Sequence, residues 1–312
     1  MIGRSMIIGA TGAALAAAIS AAQEVRVPLE SRESVYNNIY VYREGPIVTM
    51  TFGYNKYLYT ESAYNTLDDR DLPVEYTRFM TVGLAYAKNI HSILEIGSGG
   101  ARTAWYLHRF LPDAAIVSVE LDPAVAELAT KYFGVKDEPN FHVVTRDGRV
   151  FLTESKNRYD VILIDAYRGP FVPFHLMTSE FYQIANSHLA EGGAMALNVE
   201  QSTMLFDSTV QTVHAVFPQL DSFPAGGEAG GGNVVTIAYD GLTRHADELD
   251  STALDRDKAY QLRYSLHDML ARRHPIPADG GGAIDPHAKV LTDDFAPVEA
   301  LKAIERHNRK WP

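Results

Sequence analysis

Acids and glycines recur in this chain at one kind of place, directly after a short apolar run. Gly97-Ser98-Gly99-Gly100 follows Ile93-Leu94-Glu95-Ile96, and Glu120-Leu121 closes a run that begins at Ala115. Asp147-Gly148 comes just after Phe141 to Thr145, and Asp165 ends Tyr159 to Ile164. Bare glycine backbone before a helix lets a ligand approach the free N–H groups closely. A carboxylate about 20 residues beyond such a loop is placed to take ribose hydroxyls, which is where Glu120 falls. The loop lacks the full G-x-G-x-x-G spacing, because Arg102 holds its third position, and a tight strand-to-helix turn needs glycine whatever it binds. One carboxylate alone would read as a cap; four such sites at strand ends read as a nucleoside pocket.

Positioning them requires strands that alternate with helices. From His91 the pattern gives strands at Ile93–Ile96, Ala115–Leu121, Phe141–Thr145, Tyr159–Ile164, Gly193–Val199 and Asn233–Tyr239. Helices are expected from the glycine loop to Leu111, from Asp122-Pro123 to Phe133-Gly134, from Thr178 or Ser179 to Leu189, and from Thr203 to Phe217. Such alternation implies parallel neighbours and an α/β, doubly wound, mostly parallel sheet of seven-stranded Rossmann-like type, with ligands at its carboxyl edge. Before it, residues 34–61 are rich in tyrosine and β-branched residues and predict a small antiparallel β-domain of about three strands. Asp71-Leu72-Pro73 then opens a helix whose apolar positions Tyr76, Phe79, Met80, Gly83, Leu84 and Ala87 keep helical spacing. The expected divisions are a segment 1–22, a β-domain 23–70, a catalytic domain 71–245 and a helical extension 246–312 broken by Asp279-Gly280-Gly281-Gly282.

Composition narrows the chemistry. The 312 residues carry a formal net charge of −11, which argues against a protein that tracks a nucleic-acid backbone. There is no cysteine, so disulfides, thiolate metal sites and cysteine nucleophiles are excluded together. The histidines show no H-E-x-x-H spacing, no G-x-S-x-G elbow is present, and glycines 226–232 lack the Lys-Ser/Thr of a P-loop and read as a hairpin tip. No metal is expected. Residues 1–22 carry one cation, Arg4, ahead of a small, apolar run ending Ser20-Ala21-Ala22, which reads as a signal-like or anchoring segment. Membrane association is expected only through that segment.

The motifs Glu95-Ile-Gly97-Ser-Gly99-Gly100, Val-Glu120-Leu121-Asp122, Arg-Asp147-Gly148 and Asp160-Val-Ile-Leu-Ile-Asp165 resemble the class I S-adenosylmethionine (SAM) methyltransferase fold. More narrowly, with Tyr132-Phe133-Gly134, His175-Leu-Met-Thr178-Ser-Glu-Phe181-Tyr182 and Leu291-Thr292-Asp293-Asp294, the chain resembles the spermidine synthase-like, polyamine aminopropyltransferase branch. The resemblance covers most of the chain. It implies SAM or decarboxylated SAM as co-substrate, a small amine as acceptor, no nucleic acid, and a homodimer as one expectation. It also implies that Glu120 holds the ribose, that Asp147 holds the adenine amino group, and that Gly97 to Gly100 hold the methionine side. Asp165 would accept a proton from the attacking amine. Glu95, Arg102, Leu121 and Gly148 complete the expected cofactor site; Tyr64, Tyr76, Tyr167 and Arg168 are expected beside the acceptor. Supply of that cofactor points to the cytoplasm, against the signal-like N-terminus.

Two departures bear on specificity. The family repeats Asp three residues after the first, where this chain has Arg168, and it places an aspartate in the glycine loop, where this chain has Gly100. Asp68, Asp69, Asp71, Glu75 and Glu200 are the candidates to stand in. Arg102, in the first helical turn, either turns to solvent or meets the carboxylate of intact SAM, so this loop leans toward the intact cofactor. Arg168 to His175 is a loop suited to a lid, and His175 is either a general base or a loop histidine bonded to a backbone carbonyl. The function expected is aminopropyl transfer to an amine, with methyl transfer and a non-catalytic nucleoside-binding module as rivals.

Overall fold

The computed structural model describes residues 25–226, 232–277, 284, 285 and 287–295. The signal-like segment, the tip of the glycine-rich loop, Asp279-Gly280-Gly281-Gly282 and the chain beyond Phe295 lie outside the described residues.

The chain opens with an antiparallel sheet of four strands in sequential order: β1 (Val27–Glu33), β2 (Asn38–Glu44), β3 (Ile47–Tyr54) and β4 (Tyr57–Asn65). Three strands over residues 34–61 were expected. The additional one is β1, Val-Pro-Leu-Glu-Ser-Arg-Glu, an edge strand whose charged residues hide the strand signal. A two-residue turn at Asn55-Lys56, with φ of 48° and 72°, separates β3 from β4 in the manner of a tight hairpin.

The helix expected from Asp71 to Ala87 is two short ones, α1 (Glu75–Met80) and α2 (Gly83–Tyr86). Between them the backbone tightens to three-residue bonds, Val82 N–H to Phe79 C=O at 3.0 Å and Leu84 N–H to Thr81 C=O at 3.0 Å. Apolar spacing survives that break, so periodicity alone could not reveal it.

The main sheet then forms from β5 (Ser92–Ile96), β6 (Ala115–Glu120), β7 (Phe141–Thr145), β8 (Tyr159–Ile164), β9 (Leu189–Glu200), β10 (Gln219–Pro224), β11 (Asn233–Tyr239) and a two-residue edge strand β12 (His274–Pro275). Their order is β12-β10-β11-β9-β8-β5-β6-β7. The five strands from β9 to β7 are parallel, whereas β11 runs antiparallel to β9 and β10. The fold is therefore the expected α/β type, with β12 added at the edge and β10 supplying the other arm of the glycine-tipped hairpin. Connecting helices are α3 (Arg102–Phe110), α4 (Pro123–Tyr132), α5 (Gly148–Glu154), α6 (Ser179–Ser187) and α7 (Phe206–His214), followed by α8 (Ala246–Tyr260) and α9 (Leu266–Leu270). Helix α5 has no counterpart in the sequence reading; Asp147 caps it, accepting from the Val150 N–H at 2.9 Å.

Alternate residues of the central strands feed two cores. Ile93, Val161 and Leu163 pack with Trp105, Tyr106 and Leu128 on one face. Leu94, Ile162 and Ile164 pack with Leu152, Phe181 and Val210 on the other. With both faces covered, the strands read as apolar runs rather than alternating ones. Sheet growth reverses between β5 and β8, which opens a crevice at their carboxyl ends. Among the described residues, no helix is long and apolar enough to cross a membrane.

Candidate active site

At the crevice, the glycine loop leaves β5 pressed against the end of β8. Gly97 has φ of +91°, and a Cβ there would stand 2.4 Å from the Asp165 carbonyl oxygen, so a side chain fails on both counts. The loop is fixed from beside by Glu120 at the end of β6, whose Oε2 accepts the Gly99 N–H at 3.0 Å and whose Oε1 accepts the Asp122 N–H at 2.9 Å. Burial pushes the Glu120 carboxyl up to about 7 against these two stabilising N–H bonds. Beneath it, Glu95 takes a hydrogen bond from the Ser118 hydroxyl and is pushed up to about 8, again by burial.

Asp165, at the end of β8, is held by two side chains from distant elements. Tyr76 on α1 donates its hydroxyl to Oδ2 at 3.0 Å, and Asn198 on β9 donates Nδ2 to Oδ1 at 2.8 Å. Burial pushes its carboxyl up to about 7, the two hydrogen bonds acting in the opposite direction. A group poised there can take a proton from an amine at neutral pH, provided the amine lies within hydrogen-bond reach. The Tyr167 hydroxyl donates to the Asn198 carbonyl at 3.1 Å and steadies the same wall.

These groups line one cavity of about 1100 Å³. Of the residues expected from sequence, Glu95, Gly97, Gly99, Arg102, Glu120, Leu121, Asp147, Gly148, Asp165, Tyr76, Tyr167, Arg168 and His175 all line it. Gly100 and Tyr64 do not. Gly100 faces inward, where a Cβ would come within 2.7 Å of Phe133 Cδ1 and 2.9 Å of Ser62 Cβ. Tyr64 lies behind the loop, 6.5 Å from the Phe133 ring and stacked by the Arg102 guanidinium at 4.4 Å.

Two electrostatic expectations change. Arg102 neither turns to solvent nor stands as an uncommitted cation: it is 4% exposed and donates to Asp69 Oδ1 at 3.3 Å, to the Asp69 carbonyl and to the Phe133 carbonyl at 2.8 Å. Among the described residues His175 bonds no backbone carbonyl through its ring; its Nε2 meets Asp147 Oδ2 at 2.8 Å. The loop that carries it is anchored further on, where Arg149 makes a two-pronged ion pair with Asp293 and donates to the His175 carbonyl at 3.0 Å.

Among the proposed substitute acids, Asp68, Asp69, Asp71 and Glu75 are engaged outside the cavity by Arg263, Arg102, Tyr264 and Arg272 respectively. Glu200 alone of that set lines it. Sequence reasoning missed Asn198 and Glu61. Asn198 had a signal, a polar residue within the apolar run of β9. Glu61 had none, because it reaches the cavity from the N-terminal sheet rather than from the end of a parallel strand.

A parallel sheet with this order, an acid closing its second strand and a glycine loop at the reversal define the class I methyltransferase-type fold. Comparison with known proteins narrows it. The spermine/spermidine synthase domain is matched over residues 74–223. A polyamine aminopropyltransferase of Vibrio vulnificus is 26% identical over 279 residues, covering 88% of this chain and 91% of that protein. An eEF1A lysine and N-terminal methyltransferase of Bos taurus is 30% identical over 230 residues, 66% of this chain but 33% of its relative. A solved structure of a probable spermidine synthase from Corynebacterium glutamicum superposes with a TM-score of 0.66 at 18% identity, covering 86% of this chain and 97% of that one. Residues 74–223 thus match the spermine/spermidine synthase domain, and the relatives that the chain resembles over most of its length are named as transferases.

Proposed function

We propose that this protein transfers an aminopropyl group from decarboxylated SAM to a small amine. The observation that carries the reading is Asp165, a desolvated carboxylate held by Tyr76 and Asn198 in the same cavity as Glu120 and the glycine loop. Its position fits a base opposite a sulfonium substrate whose nucleoside rests against β5 and β6. In that reaction the amine nitrogen forms a bond to the aminopropyl carbon. The carbon–sulfur bond breaks, its electron pair stays on sulfur, and neutral methylthioadenosine leaves. The ammonium formed then loses its proton to Asp165. Since charge is dispersed as the sulfonium is consumed, the protein contributes mainly orientation, exclusion of water and deprotonation. Ribose hydroxyls would bond Glu120, and His175-bound Asp147 would face the adenine. The family match over residues 74–223 supports the same reading.

Methyl transfer is the second reading, favoured by the methyltransferase relative and by Arg168 where the family repeats an aspartate. Product analysis separates them. Incubation with decarboxylated SAM and a panel of diamines and polyamines is expected to release methylthioadenosine with gain of one aminopropyl unit by the acceptor. Release of S-adenosylhomocysteine from SAM, with no turnover of decarboxylated SAM, would overturn the proposal in favour of methyl transfer.

A further inference from the structure

A half-buried acid of the cavity wall, Glu61, has one carboxylate oxygen enclosed without a partner among the described residues. Strand β4 carries an irregularity where Met50 pairs with Ser62 but Thr51 pairs with Thr60, so Glu61 is the extra residue of a β-bulge. Bulges re-aim a side chain relative to a regular strand, and they recur beside active sites. The Glu61 side chain lines the cavity, and its Oε1 is buried with no hydrogen-bond partner among the described residues. Leaving a buried carboxylate oxygen unsatisfied is costly unless a ligand completes it. Burial raises this carboxyl well above its usual range, and the nearby Asp165 and Glu120 raise it further. The acids of this wall therefore call for positive charge, and Arg102, the cation beside the loop, is committed to Asp69.

The neighbourhood of Glu61 indicates which positive charge. The next residue, Ser62, accepts the Gly100 N–H on its Oγ at 2.7 Å, so β4 is bonded directly to the glycine loop. At position 100 a side chain has no room, given Phe133 and Ser62 within 2.9 Å of its Cβ. The carboxylate that the resemblance led one to expect in that loop is thus sterically displaced, and Glu61, with its unpartnered Oε1, is one residue along the strand that displaced it.

We propose that Glu61 binds the ammonium at the end of the three-carbon arm of decarboxylated SAM and so sets the preference for that cofactor over SAM. The assignment rests on the nucleoside site proposed above. Intact SAM would bring a carboxylate toward Glu61, so the wall as built disfavours it, in contrast to the leaning read from Arg102 in the sequence.

Calorimetric titration tests this with three nucleosides: methylthioadenosine, which has neither charge; 5′-dimethylsulfonio-5′-deoxyadenosine, which has the sulfonium but no ammonium; and decarboxylated SAM, which has both. Glu61→Gln is expected to weaken decarboxylated SAM at least tenfold, to change the other two by less than threefold, and to erase the preference over SAM. Retained methylthioadenosine affinity shows that the variant is folded, and Glu61→Asp, which keeps the charge, is expected to recover part of the loss. Equal losses for the dimethylsulfonium compound and decarboxylated SAM would overturn the assignment, since Glu61 would then be serving sulfur or the fold. An unchanged affinity for decarboxylated SAM would overturn it as well. If wild type binds none of the nucleosides, the site itself falls, a result distinct from either of these.

Discussion

Glu30 and Glu61 belong to opposite edge strands of the same small sheet, and their surroundings could hardly differ more. Glu30, on β1, accepts from Lys131 Nζ at 2.7 Å and the Tyr132 hydroxyl at 2.9 Å on α4, and from its neighbour Arg32. The Lys131 hydrogen bond, with help from Arg32 and Tyr132, holds its carboxyl down at about 2. Glu61, on β4, has an oxygen with no partner and sits raised beside Asp165 and Glu120. One acid is spent on fastening the sheet to the main fold. The other lines a cavity, with one oxygen unpartnered among the described residues. The contrast extends to the other acids: the ion-paired ones fasten elements together, while the desolvated Glu61, Glu95, Glu120 and Asp165 line the cavity proposed to hold the substrate.

The hardest test of the contrast is Asp165, the acid given a chemical step. Asp165→Asn keeps the shape but cannot take a proton, so turnover is expected to fall about 10²–10⁴-fold, the usual scale for a general base. Nucleoside affinity should change little in the same titrations. Normal turnover in this variant would assign deprotonation to another group, His175 being the next within the cavity.

Glu120 is the next largest. Its truncation to alanine removes charge-assisted bonds worth about 1.5–3 kcal/mol, and methylthioadenosine should bind at least about tenfold more weakly. An unchanged dissociation constant would show that the ribose lies elsewhere.

A pH series examines the cavity acids collectively. Glu95, Glu120 and Asp165 have folded values of about 8, 7 and 7, each raised by burial above its unfolded value near 4. Between those limits the folded state binds more protons than the unfolded one, so stability falls as pH rises through the window. The melting temperature of the ligand-free protein should therefore be lower at pH 8.5 than at pH 5.5, and Glu120→Gln should flatten the slope. Glu30, held at about 2, has released its proton well below this range and contributes nothing to it. A melting temperature that rises from pH 5.5 to 8.5 would mean that the cavity acids are not desolvated as described.

Glu30→Gln should do least. Its ion pairs lie at the surface, where such pairs contribute little and are screened by salt. A melting-temperature change under about 3 °C, with unaltered nucleoside affinity and turnover, is expected by calorimetry and assay. A loss of turnover comparable to that of a cavity acid would dissolve the distinction between the two ends of the sheet.

Much of this was legible along the chain. β7, β8 and β11 run over the predicted residues, and β5 and β6 nearly so, because strands buried on both faces are written as apolar runs with turns between them. Glu120, Asp147 and Asp165 could be singled out because parallel strands all deliver their last residues to one edge, so a one-dimensional pattern becomes a shared location. Helix α5 and strand β10 went unread: α5 is seven residues long with only Gly148 and Leu152 buried, and β10 mixes Asp221 and Ser222 among its apolar positions.

The local sequence, then, determined the sheet, its helices and the acids at its carboxyl edge, since each depends on periodicity and on turn chemistry within a few residues. What only the tertiary structure decided was the charge state of the site. Whether an arginine is a free cation depends on Asp69, 33 residues away, which claims Arg102. Whether a histidine meets a carbonyl or a carboxylate depends on Asp147, 28 residues from His175. Whether an acid is a clamp or a ligand depends on a bulge and on what lies across the cavity from it. Desolvation and pairing are properties of a residue's three-dimensional surroundings, and the acids that act on Glu61, namely Asp165 and Glu120, come from the other sheet of the fold.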